Sequence, residues 1–320
     1  MPARTQLLVL DDVEGRIEAA PATSRMRELA DVRFARAPLS DMPDADLADV
    51  RVVLAIRERT MFDAATLARL PSLELILQTG GHAYHVDAEA ARDRDVRVAL
   101  GRGGTAARAS VPELTFALMI GCLRDLSGAQ RAMSDGGWPR MTGRCLNGRR
   151  LGILGTGRHG TQVARIAAAF GMDVVAWQRP GVAVADDGIA RVDLDTLLGT
   201  ADVVSIHLRL SDESRGLLGA NEFARLNQGA VLVNTARGAI VDETAMIDAL
   251  RNGPLAAAGL DVFAEEPLAA DSPLRSLPNV LLTPHVGWTV EEVFDEFAAI
   301  ATRQLEAYVD GSLSADELLG

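Results

Sequence analysis

One stretch constrains the fold of this 320-residue chain more than any other: Leu151-Gly152-Ile153-Leu154-Gly155-Thr156-Gly157-Arg158-His159-Gly160. The apolar run 151–154 reads as a buried strand that breaks at Gly155, and 161–170 follows with helical spacing. Each glycine of Gly155-x-Gly157-x-x-Gly160 has its own task. The first permits a tight turn, the second lets backbone approach a pyrophosphate, and the third lets helix pack on strand. The helix then offers free N–H groups and a positive dipole end to the phosphates. A glycine-rich turn alone is a weak signal. Strand, turn and helix in the required order, with a second apolar strand at 174–177, point to a dinucleotide site instead of a plain tight turn.

The length suits two domains. A hydrophobic fraction of 48% with 24% charged residues fits a soluble globular protein with a large core. The net charge of −12 argues against nucleic acid or an anionic membrane as partner, because no phosphate-neutralising face is supplied. The apolar start 7–10 meets Asp11-Asp12 at once, too short for a signal peptide or a membrane span. Cys122 and Cys145 form neither a disulfide framework nor a metal-ligand set, so the expected compartment is the reducing cytoplasm, with no metal. The chain contains no lysine. That removes Schiff-base chemistry and a P-loop, and leaves proton transfer to His, Asp, Glu, Tyr or Cys.

The first hundred residues alternate strands (6–10, 32–35, 52–56, 73–78, 96–100) with helices (23–30, 63–70, 86–94), which predicts βαβ units on a parallel sheet. In such sheets ligands sit beyond the C-terminal strand ends. Thr79-Gly80-Gly81 follows one of those ends; its N–H groups suit an anion, and a simple strand–helix turn is the other reading. The stretch 109–135 reads as one long helix, apolar nearly all round at 114–120. More than one of its sides must therefore be buried, against a partner subunit as a bridge between domains or wholly within one chain. From 151 to 284 a second α/β unit has strands at 174–177, 203–206, 230–233, 257–260 and 280–282, with helices such as 221–226 and 242–251 between them. The last helix, 290–309, is expected to return to the first domain. The predicted domains are 1–102 with 289–320, binding substrate, and 103–288, binding the dinucleotide.

Three polar stretches each follow an apolar strand and can converge at one sheet edge: 233–238, 259–267 and 282–288. Here the chain resembles the D-isomer-specific 2-hydroxyacid dehydrogenases, a group that includes phosphoglycerate dehydrogenases, glyoxylate and hydroxypyruvate reductases and D-lactate dehydrogenases. The resemblance runs from about residue 73 onward. It rests on the glycine fingerprint, Asn234-Thr235-Ala236-Arg237-Gly238, Asp261-Val262-Phe263 with Glu266-Pro267, and Thr283-Pro284-His285. Arg237 and Glu266 are 29 residues apart, and Glu266 and His285 are 19 apart. The resemblance implies a Rossmann-type cofactor domain with a flavodoxin-like substrate domain, both doubly wound parallel α/β. It implies that Arg237 binds substrate, that Glu266 and His285 are the acid–base pair, and that Asp261 meets the nicotinamide carboxamide. Thr235, His207 and Gly287 fall along the cofactor, and Arg158 and His159 near its pyrophosphate.

The chemistry agrees with those roles. The planar guanidinium of Arg237 matches the paired oxygens of a 2-keto acid. Hydride delivery puts negative charge on the carbonyl oxygen, which must be neutralised as it forms. His285 can give that proton at neutral pH and take it back in reverse, while Glu266 stabilises the imidazolium and fixes the tautomer. Taken singly, these residues could be a surface ion pair, a helix cap and a loop histidine.

An NAD site usually carries an acidic residue about 20 positions past the fingerprint. Here Gln178 stands there, with Arg179 next to it, which favours NADP(H) over NAD(H). Trp288 can wall a pocket for a small or apolar substituent, so a small 2-keto acid (glyoxylate, hydroxypyruvate or similar) is the expected substrate. No regulatory domain is expected after the last helix, and a homodimer is the expected assembly. Two rivals have different chemistry. A formate dehydrogenase would pair its histidine with an uncharged amide, against Glu266. A coenzyme-sensing corepressor would keep the residues but show little turnover.

Overall fold

The computed structural model describes residues 4–178, 181 and 187–319. They form two compact units, one up to Ala106 together with Thr289 onward, the other Ala107–Trp288.

The first unit is built on strands β1 (Thr5–Val9), β2 (Ala30–Phe34), β3 (Val52–Ala55), β4 (Leu75–Gln78) and β5 (Arg97–Leu100). All pairings are parallel, in the order β2-β1-β3-β4-β5. The inner strands β3 and β4 are buried at every position, as parallel strands covered on both faces must be, which is why they read as unbroken apolar runs. The helix Glu291–Val309 buries Val293, Phe294, Phe297, Ala301 and Leu305 against the helix Thr23–Leu29 and β4. Glu296 on that helix accepts hydrogen bonds from the N–H groups of Thr105 (2.7 Å) and Ala106 (2.9 Å), which ties down the segment that leaves this unit.

The second unit has β6 (Arg150–Leu154), β7 (Asp173–Trp177), β8 (Ala190–Arg191), β9 (Val203–Ile206), β10 (Ala230–Asn234), β11 (Leu255–Leu260) and β12 (Val280–Leu282). Its seven strands are parallel, in the order β12-β11-β10-β9-β6-β7-β8. The direction of winding reverses between β6 and β9. That reversal opens a crevice at the strand ends, where the glycine turn after β6 lies beside His207 after β9. Apolar layers cover both faces, one around Met119, Ile153, Val163 and Val231, the other around Leu197, Leu232, Phe223 and Met246. The expected fold class, two doubly wound parallel α/β units, is the one observed.

Two local expectations need correction. The stretch 109–135 is not one helix but two, Ala107–Arg124 and Leu126–Ser134. Asp125 breaks it by adopting a left-handed conformation (φ 47°), and its carboxylate then accepts from Gly128 N at 3.1 Å, capping the next helix. The buried side of Ala107–Arg124 packs on β10, β11, β12 and the helix Arg158–Ala169 of its own unit, while Leu114 and Ile120 are half-buried and Ala117 is exposed. A Cβ on Gly259 of β11 would come within 2.8 Å of Leu118, and one on Gly121 within 2.5 Å of Leu281, so small residues let helix and sheet close on each other. Strand β8 and the helix Leu194–Thr200 lay outside the predicted elements; a two-residue strand has no period to detect.

Candidate active site

The turn after β6 is shut at two glycines and open at the third. A Cβ on Gly160 would fall 2.0 Å from the Gly155 carbonyl oxygen, and Gly155 itself has φ +94°. A Cβ on Gly157 would meet nothing within 4 Å, and Gly157, the N-cap of the helix Arg158–Ala169, has no side chain to cap it. Free N–H groups therefore face an open cradle, which fits a pyrophosphate. His207 backs the turn: its N–H donates to the Leu154 carbonyl at 2.8 Å and its Nε2 lies 2.8 Å from Ser205 Oγ. Burial, with a smaller push from His159, takes the His207 imidazole down to about 3. Burial also lowers His159, helped by the charges of Arg158, Arg108 and Arg237, so both rings are neutral at pH 7 beside a cationic rim. Gln178 stands just past β7 and accepts a hydrogen bond from Thr156 Oγ1 at 2.7 Å. Arg179 lies outside the described residues.

The three polar loops follow β10, β11 and β12. After β10, Asn234 is buried and braces its loop from both ends, donating to the Arg237 carbonyl (3.1 Å) and accepting from Ala236 N (3.0 Å). Arg237 donates through Nη1 to the Ala236 carbonyl at 2.7 Å, spending one of its five donors. Gly238 could hold no side chain, since a Cβ would sit 1.9 Å from the Phe263 carbonyl carbon. That contact presses the Arg237 loop onto the chain leading to Glu266.

Glu266 accepts from Phe263 N through Oε1 at 2.9 Å and meets His285 Nδ1 through Oε2 at 2.7 Å. Burial alone would raise its carboxyl, but the hydrogen bonds from His285 and Phe263, with the charge of Arg237, hold it below the usual carboxylate range. An ionised carboxylate only accepts, so Nδ1 carries a proton and Nε2 is the ring atom left to exchange one. The His285 backbone is left-handed (φ 55°). Asp261, 1% exposed at the end of β11, holds that loop in shape: it accepts from Thr283 Oγ1 (2.6 Å), Val286 N (2.8 Å) and Gly287 N (2.9 Å).

Arg237, Glu266 and His285 thus share one unit with the glycine turn. Thr235 lies 3.0 Å, hydroxyl to hydroxyl, from Thr115 of the helix Ala107–Arg124, and Trp288 is half-buried at the end of this unit. Thr79, Gly80 and Gly81 belong to the other unit, after β4. There the Thr79 hydroxyl accepts from Arg57 N at 2.9 Å, and a Cβ on Gly80 would strike the Arg57 guanidinium at 2.6 Å. The reading of residue types and spacing missed Asn234, Gly238 and Thr283 as supports of the site. Asn234 and Gly238 were visible as residues of the Arg237 motif; the burial of Asn234 and its two bonds were not.

The family model for the NAD-binding domain of D-isomer specific 2-hydroxyacid dehydrogenases matches residues 116–287. The chain belongs to the D-isomer specific 2-hydroxyacid dehydrogenase family. Among members of this family, a D-3-phosphoglycerate dehydrogenase of Mycobacterium bovis is 35% identical over 308 residues, covering 93% of this chain and 56% of that protein. A hydroxypyruvate reductase of Thermotoga maritima is 34% identical over 244 residues, covering 75% of this chain and 79% of the relative. The crystal structure of a phosphoglycerate oxidoreductase from Vibrio cholerae superposes with a TM-score of 0.86 at 29% identity, covering 96% of this chain and 99% of that one. The chain spans about half the length of the phosphoglycerate dehydrogenases it matches. Family membership brings a nicotinamide nucleotide as the cofactor class, which agrees with the open cradle at Gly157.

Proposed function

We propose that this protein reduces a small 2-keto acid to the D-2-hydroxy acid, with the reverse oxidation running through the same groups. The observation that carries the proposal is the 2.7 Å contact between His285 Nδ1 and Glu266 Oε2. It leaves Nε2 as the proton-exchanging atom and keeps a negative charge behind the ring to stabilise the imidazolium. The same contact argues against a formate dehydrogenase, whose reaction needs no proton donor.

The bound nicotinamide coenzyme supplies or accepts the hydride. Arg237 binds the substrate carboxylate and carbonyl through its remaining donors and orients the keto group. His285 delivers the proton to the carbonyl oxygen as charge builds there. Glu266 holds the ring and its tautomer. Asp261 fixes the loop that carries His285, and its unspent acceptor capacity faces the role of contacting the nicotinamide carboxamide.

The coenzyme we infer is NADP(H) in preference to NAD(H), because Gln178 replaces the carboxylate that would repel a ribose phosphate. The assembly we infer is a homodimer. The helix Leu126–Ser134 buries none of its residues, and Leu126, Met133, Trp138 and Met141 stand exposed along it and the segment after it. A screen of 2-keto acids with NADPH and NADH, followed at the nicotinamide absorbance, tests the activity. Turnover of glyoxylate, hydroxypyruvate or a similar acid supports it; binding of coenzyme without turnover of any of them overturns it.

A further inference from the structure

The glycine fingerprint carries a histidine, His159, at the second residue of the helix Arg158–Ala169, and the acid–base chemistry of the keto group makes no use of it. The ring is half-buried, and among the described residues neither of its nitrogens has a hydrogen-bond partner. Neither nitrogen is sealed inside the protein. The burial comes from one side. Val163, one turn further along the same face, is fully buried, and the helix packs there on Ala107–Arg124. His207 lies behind the helix start, since a Cβ on Gly160 would come within 3.3 Å of the His207 Cβ.

The charges that bear on this ring all have one sign. Arg158 comes from its own helix, Arg108 from the first turn of Ala107–Arg124, and Arg237 from the loop after β10. His207, the titratable group behind it, is neutral, held down to about 3 by burial. The positive end of the helix dipole adds to the three guanidiniums. Burial and these cations hold the His159 imidazole below its ordinary range, so the free protein carries it neutral. The open cradle at Gly157 begins two residues before it. A pyrophosphate seated there brings permanent negative charge into the middle of the cluster. That reverses the balance for the ring. The guanidiniums that repelled a proton are now matched by an anion, and an imidazolium gains a charge-assisted hydrogen bond that the neutral ring lacks.

We propose that His159 is a coenzyme-binding residue that takes up a proton as the pyrophosphate enters the cradle, so that coenzyme binding is proton-coupled. This rests on the cradle at Gly157 holding the pyrophosphate. The proton comes from solvent, adds to a ring nitrogen and leaves the phosphates ionised; no other bond changes. The imidazole of the complex keeps its proton to higher pH than that of the free protein. Affinity is therefore greatest in mild acid and falls as pH rises from the free protein's value toward that of the complex. His285 exchanges its proton with substrate, whereas His159 holds one for as long as the coenzyme is bound.

The test is calorimetric titration with ADP-ribose, which carries the pyrophosphate without the nicotinamide ring and has no group of its own that titrates near neutrality. Runs from about pH 6 to about pH 8, each in two buffers of different ionisation heat, give the dissociation constant and the protons taken up. For the wild type the dissociation constant is expected to rise about tenfold across that range, with uptake reaching about half a proton at its maximum. His159→Gln keeps a polar side chain that cannot be charged, so its dissociation constant should stay flat with pH and its uptake vanish. A merely structural role for His159 would weaken binding by one common factor and leave the pH slope in place, which overturns the proposal. Wild-type binding without proton uptake overturns it as well, in a measurement that needs no variant. Uptake that persists in His159→Gln belongs to another group and overturns the assignment. Failure of ADP-ribose to bind at any pH overturns the cradle itself, and the role of His159 with it.

Discussion

Nδ1 of His285 and Oε2 of Glu266 lie 2.7 Å apart, although the two residues follow different strands and are separated by 19 positions in the chain. Each is fixed independently of the other. Glu266 is held by the Phe263 N–H, and the His285 loop is gathered around the Asp261 carboxylate. Preorganisation of this kind places a charge where it is needed before the reaction begins.

The rate of keto-acid reduction should respond to Glu266→Gln. The Glu266 carboxyl is held below the usual range, so it is ionised at neutral pH 2.7 Å from His285 Nδ1, where it fixes the ring and opposes the charge of the imidazolium. A carboxamide supplies no such charge. kcat/KM at neutral pH is expected to fall at least about tenfold, with the coenzyme dissociation constant close to that of the wild type. A rate near that of the wild type would show that the two groups are not coupled. The same substitution should also blunt the loss of stability in acid, since a carboxyl with a depressed pKa stabilises the fold above the ordinary carboxylate range and stops doing so as pH falls through its own value.

Two alanine substitutions in the glycine turn should fail in different ways. At Gly157 a Cβ meets nothing within 4 Å, so Gly157→Ala should leave Tm within about 2 °C while raising the coenzyme dissociation constant at least about tenfold by intruding on the pyrophosphate cradle. At Gly160 the Cβ would lie 2.0 Å from the Gly155 carbonyl oxygen, so Gly160→Ala should lower Tm outright. Thermal melts beside coenzyme titrations separate the two, and equal losses of Tm would contradict the cradle.

Asp261→Asn tests the bracket around the histidine loop. The carboxylate accepts three hydrogen bonds from Thr283, Val286 and Gly287. A carboxamide has one oxygen for them and would set its own N–H₂ against a backbone N–H. A cost of about 1–3 kcal/mol in unfolding free energy is expected, with a fall in kcat as His285 loses its seat. Denaturant melts with an unchanged m-value and steady-state rates would measure both.

The glycine fingerprint, most strands and the three catalytic candidates were legible because each rests on a local signal: an apolar run, a turn residue, or a polar motif after a strand. What lay beyond the sequence depends on contacts between distant segments or on a single backbone choice. Asp125 ends one helix and caps the next by one left-handed residue, and nothing in the apolar pattern of 114–120 marks it. Gly238 is demanded by Phe263, 25 positions later, and Asp261 by a loop beyond the following strand. Gln178 and the glycine turn could be seen from spacing; the 2.7 Å bond from Thr156 Oγ1 to Gln178 Oε1 that links them could not.

Trp138→Ser with Met141→Ser should shift the assembly toward monomer. Trp138 is 84% exposed and Met141 43%, and an exposed tryptophan beside apolar neighbours is the kind of residue that anchors a subunit contact. Sedimentation velocity over a range of protein concentrations should show a dimer for the wild type and a monomer for the double variant. A wild-type monomer at every concentration would contradict the inferred assembly.

The central claim is that His285 exchanges the proton of a nicotinamide-linked keto-acid reduction. Its most direct test is kcat/KM of His285→Ala at neutral pH, measured beside the dissociation constant of the coenzyme. A fall of about 10²–10⁴-fold in rate, with coenzyme affinity close to that of the wild type, is the predicted result. A rate near that of the wild type would contradict it.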